Sequence, residues 1–123
     1  MILSSRELDV MNVLWDRGSA TVAEVLERLS DELAYTTVLT ILQRLEDKGH
    51  VGHESEGKAH RYLPLLERSA VRASTVRRLT HELFGDSSRL LMAHLLGRGE
   101  LTQEELEELR ALVDERLKEG GDE

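Results

Sequence analysis

The chain has 123 residues and a formal net charge of −8, and it contains no cysteine. Its length is that of one domain, or of one small domain with an appended oligomerisation arm, and the missing cysteine excludes disulfides, thiolate metal sites and cysteine nucleophiles. The acidity argues against a protein that coats nucleic acid without regard to sequence, although DNA responds to a local surface more than to a sum of charges.

The N-terminal residues and the hydropathy of the chain bear on its location. Residues 1–5 contain neither a basic n-region nor a long apolar run, so they do not resemble a signal peptide. No segment reaches the roughly 20 apolar residues that a membrane span requires. We therefore expect a cytoplasmic protein that is not inserted into a membrane.

Two capping boxes predict the first two helices. Ser4 precedes Glu7 by three residues, and Thr21 precedes Glu24 in the same way. In this spacing the hydroxyl and the carboxylate can each satisfy an orphan N–H group at a helix start. The first helix is expected to end before Gly18. Its inward face is predicted to consist of Leu8, Met11, Leu14 and Trp15.

A third helix, predicted over residues 35–48, carries the strongest functional signal. Its apolar side chains recur at the spacing of one helix face, and they are Val38, Ile41, Leu42 and Leu45. The opposite face has hydroxyl, amide and guanidinium groups and no carboxylate before Glu46. Because threonine is a mediocre helix former, its repeated use on this face needs a reason other than helix propensity. An ordinary amphipathic helix with a polar outer face is the alternative.

We predict that this polar face contacts DNA in the major groove. Base edges are assigned to Thr40, Gln43 and Arg44, and phosphates to Tyr35, Thr36 and Thr37. Tyr35 could equally pack against the protein. The local charge is compatible with this prediction, because residues 35–61 are neutral. Their basic residues Arg44, Lys48, Lys58 and Arg61 balance Glu46, Asp47, Glu54 and Glu56.

From residue 50 to residue 64 the pattern changes to alternation, which predicts a β-hairpin. Gly57 and Lys58 lie at its tip, and Pro64 ends it. Two helices in a helix-turn-helix pair, followed by a hairpin with a basic tip, form the order of a winged helix-turn-helix. We predict that Lys58 and Arg61 contact the DNA backbone or minor groove, although Arg61 could equally brace the third helix.

The remaining residues predict three further helices that are rich in leucine. Gly85 and Gly97 separate them, and a capping box of Thr102 and Glu105 marks the start of the last one. Helices of this composition leave an exposed apolar patch in a monomer, and such a patch usually marks an interface. We therefore predict a dimerisation arm that uses Val76, Leu79, Leu83, Leu90, Leu91, Leu95, Leu106, Leu109 and Val113.

Several segments together resemble the penicillinase-repressor (BlaI/MecI/CopY) family of winged-helix transcriptional regulators. They are LDVMNVLW at 8–15, TVAEV at 21–25, AYTTVLTILQRL at 34–45, Lys48-Gly49 and HRY at 60–62. The resemblance covers residues 4–118 and is strongest through Tyr62. It implies a homodimeric repressor that binds a dyad-symmetric operator and blocks transcription of resistance or stress genes.

The resemblance also implies a form of control. In the founding members of the family, a membrane sensor protease triggers cleavage of the dimerisation arm at an Asn-Phe pair, which releases DNA. The nearest equivalent in this chain is His94-Leu95, so whether this arm is cleaved stays open. The copper-responsive branch uses C-terminal cysteines, which this chain lacks.

Histidines and acids elsewhere in the chain suggest other kinds of site. His53 and His60 could face each other across the hairpin, which suggests a metal or pH sensor, but no third ligand has a fixed spacing to them. We favour surface imidazoles near phosphates, and predict no metal and no cofactor. The acids at 104–108 form a solvated helix face at a helix N-terminus. No catalytic constellation is present, so we predict that the chain is not an enzyme.

The predicted architecture is mainly α. Residues 1–66 form a winged helix-turn-helix of three helices and a hairpin, and residues 67–123 form a helical dimerisation arm. The predicted partners are an operator in double-stranded DNA and a second copy of the chain. The rival hypothesis is a winged helix that binds another protein and never binds DNA, and the net charge of −8 favours it.

Overall fold

The structure, a computed structural model, describes residues 3–121 and consists there of six helices and three short strands. The elements in chain order are α1 (Ser5–Arg17), β1 (Ala20–Thr21), α2 (Val22–Arg28), α3 (Tyr35–Asp47), β2 (Val51–Glu56), β3 (Ala59–Pro64), α4 (Arg68–Phe84), α5 (Ser88–Gly97) and α6 (Gln103–Gly121). The mainly helical class and the position of the hairpin are therefore confirmed. Residues 1, 2, 122 and 123, which the two predicted domains include, lie outside the described part.

The chain divides into two compact units, residues 1–77 and 78–123, of which the structure describes 3–77 and 78–121. The first unit contains α1, α2, α3, the three strands and the first part of α4. The second unit contains the rest of α4 with α5 and α6. The domain boundary that we predicted after residue 66 lies just before α4 and stays a prediction.

The three strands form an antiparallel sheet in the order β1-β3-β2. In the hairpin Val51 pairs with Pro64 and Glu56 with Ala59, so Gly57 and Lys58 form a two-residue turn. Gly57 has φ +62°, and of these two residues only Gly57 has a positive φ. This is the pattern of a type II′ turn, which favours glycine at its first central position. β1 was not predicted, because two residues are too short to show alternation.

The core of the first unit is aliphatic apart from Tyr62 and lies between the helices and the base of the hairpin. Its fully buried large side chains are Val10, Met11, Leu14, Val25, Val38, Leu42, Leu45, Val51 and Tyr62. The indole Nε1 of Trp15 donates to the backbone oxygen of Leu66 over 2.7 Å. This bond fixes α1 to the segment that leaves the hairpin.

The inward face of α1 differs from the prediction at one residue. Leu8 is 37% exposed, whereas Glu7 is buried. Glu7, Val10, Met11 and Leu14 share one face at helical spacing, and Leu8 lies at its edge. Glu7 can be buried because its carboxylate accepts hydrogen bonds from the Ser4 backbone over 2.9 Å and from Lys48 Nζ over 2.8 Å.

The Glu7–Lys48 ion pair joins the start of α1 to the end of α3. The capping box is complete, because the Glu7 backbone N–H also donates to Ser4 Oγ over 3.2 Å. Burial raises the pKa of Glu7, but the hydrogen bonds from Lys48 and Ser4 outweigh it, so the pKa lies below its ordinary value. The carboxylate is therefore held in its charged form between the two helices.

The second unit has little interior of its own. Of residues 78–121 only Thr80 is buried. Ser87 Oγ accepts from the Leu90 backbone at the start of α5, and a complete capping box of Thr102 and Glu105 starts α6. No helix within residues 3–121 is both long enough and apolar enough to cross a bilayer.

Candidate nucleic-acid interface

α3 separates its apolar and polar residues onto two faces. Val38, Ile41, Leu42 and Leu45 are buried in the core of the first unit. The six predicted contact residues on this helix are all exposed, and they are Tyr35, Thr36, Thr37, Thr40, Gln43 and Arg44. The helix therefore presents to solvent a continuous surface of hydroxyl, amide and guanidinium groups.

The ends of α3 are set by its local sequence. The helix begins at Tyr35 without a side-chain cap, because Ala34 occupies the N-cap position. At its other end Gly49 adopts φ +80°, and His50 donates its backbone N–H to Leu45 over 2.9 Å. Glycine favours this left-handed conformation, which lets the chain leave the helix and enter β2.

The polar side chains of α3 differ in their freedom to bind a partner. Thr40 Oγ1 donates to the backbone oxygen of Thr36 over 2.8 Å, so its hydroxyl proton is occupied and its methyl group and lone pairs are presented outward. No hydrogen bond or ion pair joins the side chains of Gln43 and Arg44 to another residue between 3 and 121. Both of these side chains can therefore form bidentate hydrogen bonds with a ligand.

A cleft of about 300 Å³ separates α3 from the wing (residues 51–64). Tyr35 and Gln43 line it on the side of α3, and Lys58 and His60 line it on the side of the wing. Lys58 is exposed and forms no ion pair within the described part of the chain. The structure thus brings the basic wing tip and the polar face of α3 to one surface.

Arg61 forms ion pairs with two carboxylates of the first unit. Its Nη2 lies 2.6 Å from Glu24 Oε1 on α2 and 3.0 Å from Glu56 Oε2 on β2. The hydrogen bonds to Glu24 and then to Glu56 raise the pKa of Arg61, and the bond from Arg61 is the main reason that the pKa of Glu24 is lowered. The alternative that Arg61 braces the third helix is therefore wrong about the partner, which lies on α2.

The wing is also connected to α3 through His53, one of the two histidines of the suggested metal site. His53 Nδ1 lies 2.5 Å from Glu46 Oε2, and the His53 ring stacks on His60 with centroids 4.2 Å apart and planes 9° apart. Lone pairs in the planes of parallel rings do not converge on one ion. Within residues 3–121 no group of three His, Cys, Asp or Glu side chains is arranged to hold a metal.

The predicted dimerisation residues are exposed in the single chain, apart from the half-buried Leu91. The most exposed of them is Leu83, at 72%. The candidate scissile pair, His94 and Leu95, lies within α5, and the His94 ring packs 5.9 Å from the ring of Phe84. A protease would therefore meet this bond in a helical conformation.

Comparison with known proteins identifies the family. Residues 3–115 match the model of the family described as Penicillinase repressor. The chain belongs to the penicillinase repressor family. The resemblance drawn from the sequence is therefore confirmed, and so is the prediction that the chain is a repressor and not an enzyme.

Two curated relatives and one solved structure illustrate the similarity. Methicillin resistance regulatory protein MecI of Mammaliicoccus sciuri is 25% identical over 116 residues, which are 93% of this chain and 94% of the relative. Transcriptional regulator BlaI of Mycobacterium tuberculosis is 47% identical over 66 residues, 51% of this chain and 48% of the relative. The solution structure of the DNA binding domain of the repressor BlaI is 36% identical, with a TM-score of 0.50, and covers 55% of this chain and 84% of that domain. The winged-helix fold is thereby confirmed.

Proposed function

We propose that this penicillinase repressor family member is a dimer that binds a dyad-symmetric operator through the polar face of α3. One observation carries this proposal. The exposed face of α3 has no acidic side chain before Glu46, in a chain whose net charge is −8. A surface that excludes carboxylates while the rest of the protein is rich in them suits a polyanion. The protein would act where bacterial DNA lies, in the cytoplasm.

The side chains of α3 suit a division between base contacts and phosphate contacts. Arg44 and Gln43 are exposed and unengaged within the described residues. Two guanidinium donors of Arg44 match the O6 and N7 acceptors of guanine, and the amide donor and acceptor of Gln43 match N7 and the N6 amino group of adenine. Thr40 presents a methyl group and acceptor lone pairs, which suit a thymine methyl or an amino group. Tyr35, Thr36 and Thr37 lie at the start of the helix, and their hydroxyls, with the Lys58 ammonium, suit phosphate oxygens.

Dimerisation through the arm is supported by the apolar side chains that the single chain leaves in water. A groove of about 780 Å³ between α5 and α6 is lined by Met92, Leu95, Leu96, Leu109, Val113 and Leu117, among others. Exposed apolar surface of this extent usually marks an interface. In a dimer the two α3 helices would enter successive major grooves about 34 Å apart.

Release of DNA would follow from loss of the dimer. Cleavage between His94 and Leu95 by a membrane sensor protease is one route, and it would cut α5 and remove the α6 half of the groove. Because proteases bind extended substrates, α5 would first have to open locally. The short, exposed α5 is suited to such opening, since none of its residues is buried.

The experiment that tests the proposal is selection of duplexes from fragmented genomic DNA of the encoding organism, at low and at near-physiological salt. We expect enrichment of a motif with dyad symmetry that persists at the higher salt, because base contacts are less salt-dependent than phosphate contacts. Binding that disappears with salt, or no enrichment, would contradict the proposal and favour a winged helix that binds another protein.

A further inference from the structure

The wing extends well beyond the strand that anchors it. β1 pairs with β3 only at Ala20–Tyr62 and Thr21–Arg61. The tip, residues 56–59, lies beyond these pairs and is joined to the sheet by the hairpin alone. Lys58, which the proposed function places on a phosphate, is at this tip. The position of Lys58 therefore depends on the side-chain contacts that hold the wing against the helices.

Arg61 connects the tip to the helix-turn-helix through a cluster of ion pairs. Its guanidinium bonds Glu56, the last residue before the turn, and Glu24 on α2. Glu24 also accepts from Arg17 at the end of α1 over 2.5 Å. Two arginines and two glutamates balance in charge, and the side chains of Arg17, Glu24 and Arg61 are only 20–29% exposed.

From this geometry we propose that Glu24 is a positioning residue for the wing, and that Arg61 acts through Glu24 and Glu56 rather than as a phosphate contact. The inference rests on the proposed DNA binding. Exposed ion pairs add little to the free energy of unfolding. A guanidinium that forms hydrogen bonds with two carboxylates nevertheless fixes the orientation of the wing relative to α2. The cluster would therefore act on DNA affinity more than on stability.

The sign of the effect separates positioning from simple electrostatics. Glu24 is a negative charge in the unit that binds a polyanion, so its removal should strengthen DNA binding if charge alone matters. If Glu24 holds the wing, its removal should weaken binding. Glu24→Gln is a suitable variant because the cap at Thr21, in which the Glu24 backbone N–H donates to Thr21 Oγ1, uses no side-chain atom of Glu24.

The experiment uses the full chain and the duplex enriched from genomic DNA, with a shuffled duplex as the non-specific reference. Glu24→Gln should weaken specific binding by about three- to tenfold and speed amide hydrogen exchange at residues 56–58. Glu54→Gln is the matched control, because Glu54 lies on β2 and forms no ion pair within the described residues. It should leave binding unchanged or slightly stronger.

Two further measurements complete the test. Arg61→Gln should leave the dependence of log affinity on log salt unchanged, whereas loss of a phosphate contact would reduce its slope by about 0.9 per subunit. The double variant Glu24→Gln/Arg61→Gln should bind about as well as either single variant. Stronger binding by Glu24→Gln, a reduced slope for Arg61→Gln, or additive losses would overturn the inference. Failure of the wild type to enrich any duplex would instead overturn the proposed function, and the inference with it.

Discussion

The residues on α3 are chemically unequal, and their proposed roles follow from that inequality. Gln43 and Arg44 can each offer two hydrogen-bonding groups in one plane, while Thr40 has committed its proton to the Thr36 backbone. Base discrimination should therefore depend most on Gln43 and Arg44. Lys58 at the wing tip carries charge without planar geometry, which suits a phosphate and no particular base.

We predict that Arg44→Ala weakens binding to the selected operator by about 1–3 kcal/mol and relaxes the preference at one base pair of each half-site. The loss reflects two hydrogen bonds to a base edge. Competition titrations against operators with single substitutions measure both effects. An equal loss of affinity on operator and shuffled DNA would contradict a base contact by Arg44.

For Lys58→Ala we expect a loss of affinity of similar size on every sequence. The slope of log affinity against log salt should decrease by about 0.9 per subunit, because one phosphate contact and its released counterion are lost. Titrations between low and near-physiological salt give this slope. Lys118→Ala is the control, since Lys118 lies on α6. A slope identical to that of the wild type would place the wing tip away from DNA.

At the scale of the elements, the Glu7–Lys48 pair holds α3 against α1. The pKa of Glu7 is below its ordinary value in the folded state, so its stabilisation is fully present above pH 4.5 and is lost as the pH falls through the lower folded pKa. We predict that Glu7→Gln lowers the free energy of unfolding by about 1–2 kcal/mol at pH 7. The difference from the wild type should shrink below about pH 4.

Denaturant titrations at several pH values test this prediction. Glu27→Gln removes the same charge from an exposed position on α2, and it should change stability by less than about 0.5 kcal/mol. If the effect of Glu7→Gln were the same at pH 3 and pH 7, its cause would be something other than the charged carboxylate.

Much of the element structure could be predicted because the deciding signals are local. Ser4 with Glu7 and Thr102 with Glu105 form complete capping boxes where their spacing predicted them. The polar face of α3 is exposed because the opposite face supplies the core. In these cases residues within four positions of one another determine where a helix begins or which of its faces is buried.

The features that escaped prediction depend on contacts between distant residues. β1 has only two residues, and its pairing with Tyr62 and Arg61 leaves no pattern in the sequence. The burial of Glu7 requires Lys48, which lies 41 positions later. The Arg61–Glu24 bond spans 37 positions and gives no periodic signal. Such pairs form because of how the elements pack against each other. Patterns among neighbouring residues in a single sequence do not reveal that packing.

At the scale of the whole molecule, the two units pose different problems of stability. The first unit has a buried aliphatic core, while residues 78–121 bury only Thr80. An arm of this kind gains stability by covering its apolar side chains with those of a partner. A dimer would also place two DNA-binding surfaces on one particle, which offsets the weak non-specific attraction expected of an acidic chain.

We therefore predict that Leu109→Asp converts a dimer into a monomer, because a charge within the interface would remain without a partner. Sedimentation velocity measures the change. Operator affinity should fall on the order of a hundredfold, because each monomer would then bind its half-site independently of the other. Leu65→Asp adds the same charge at an exposed leucine of the first unit and should remain dimeric. A Leu109→Asp protein that sediments as the wild type would exclude Leu109 from the interface.

In the proposed complex two symmetry-related α3 helices contact bases from the major groove. Methylation interference at guanine N7 on the selected operator tests this arrangement most directly, because this methyl group occupies the major groove. We expect two clusters of interfering guanines, related by the dyad and about 10 base pairs apart. A single cluster, or strong binding that no major-groove methyl group disturbs, would contradict this arrangement.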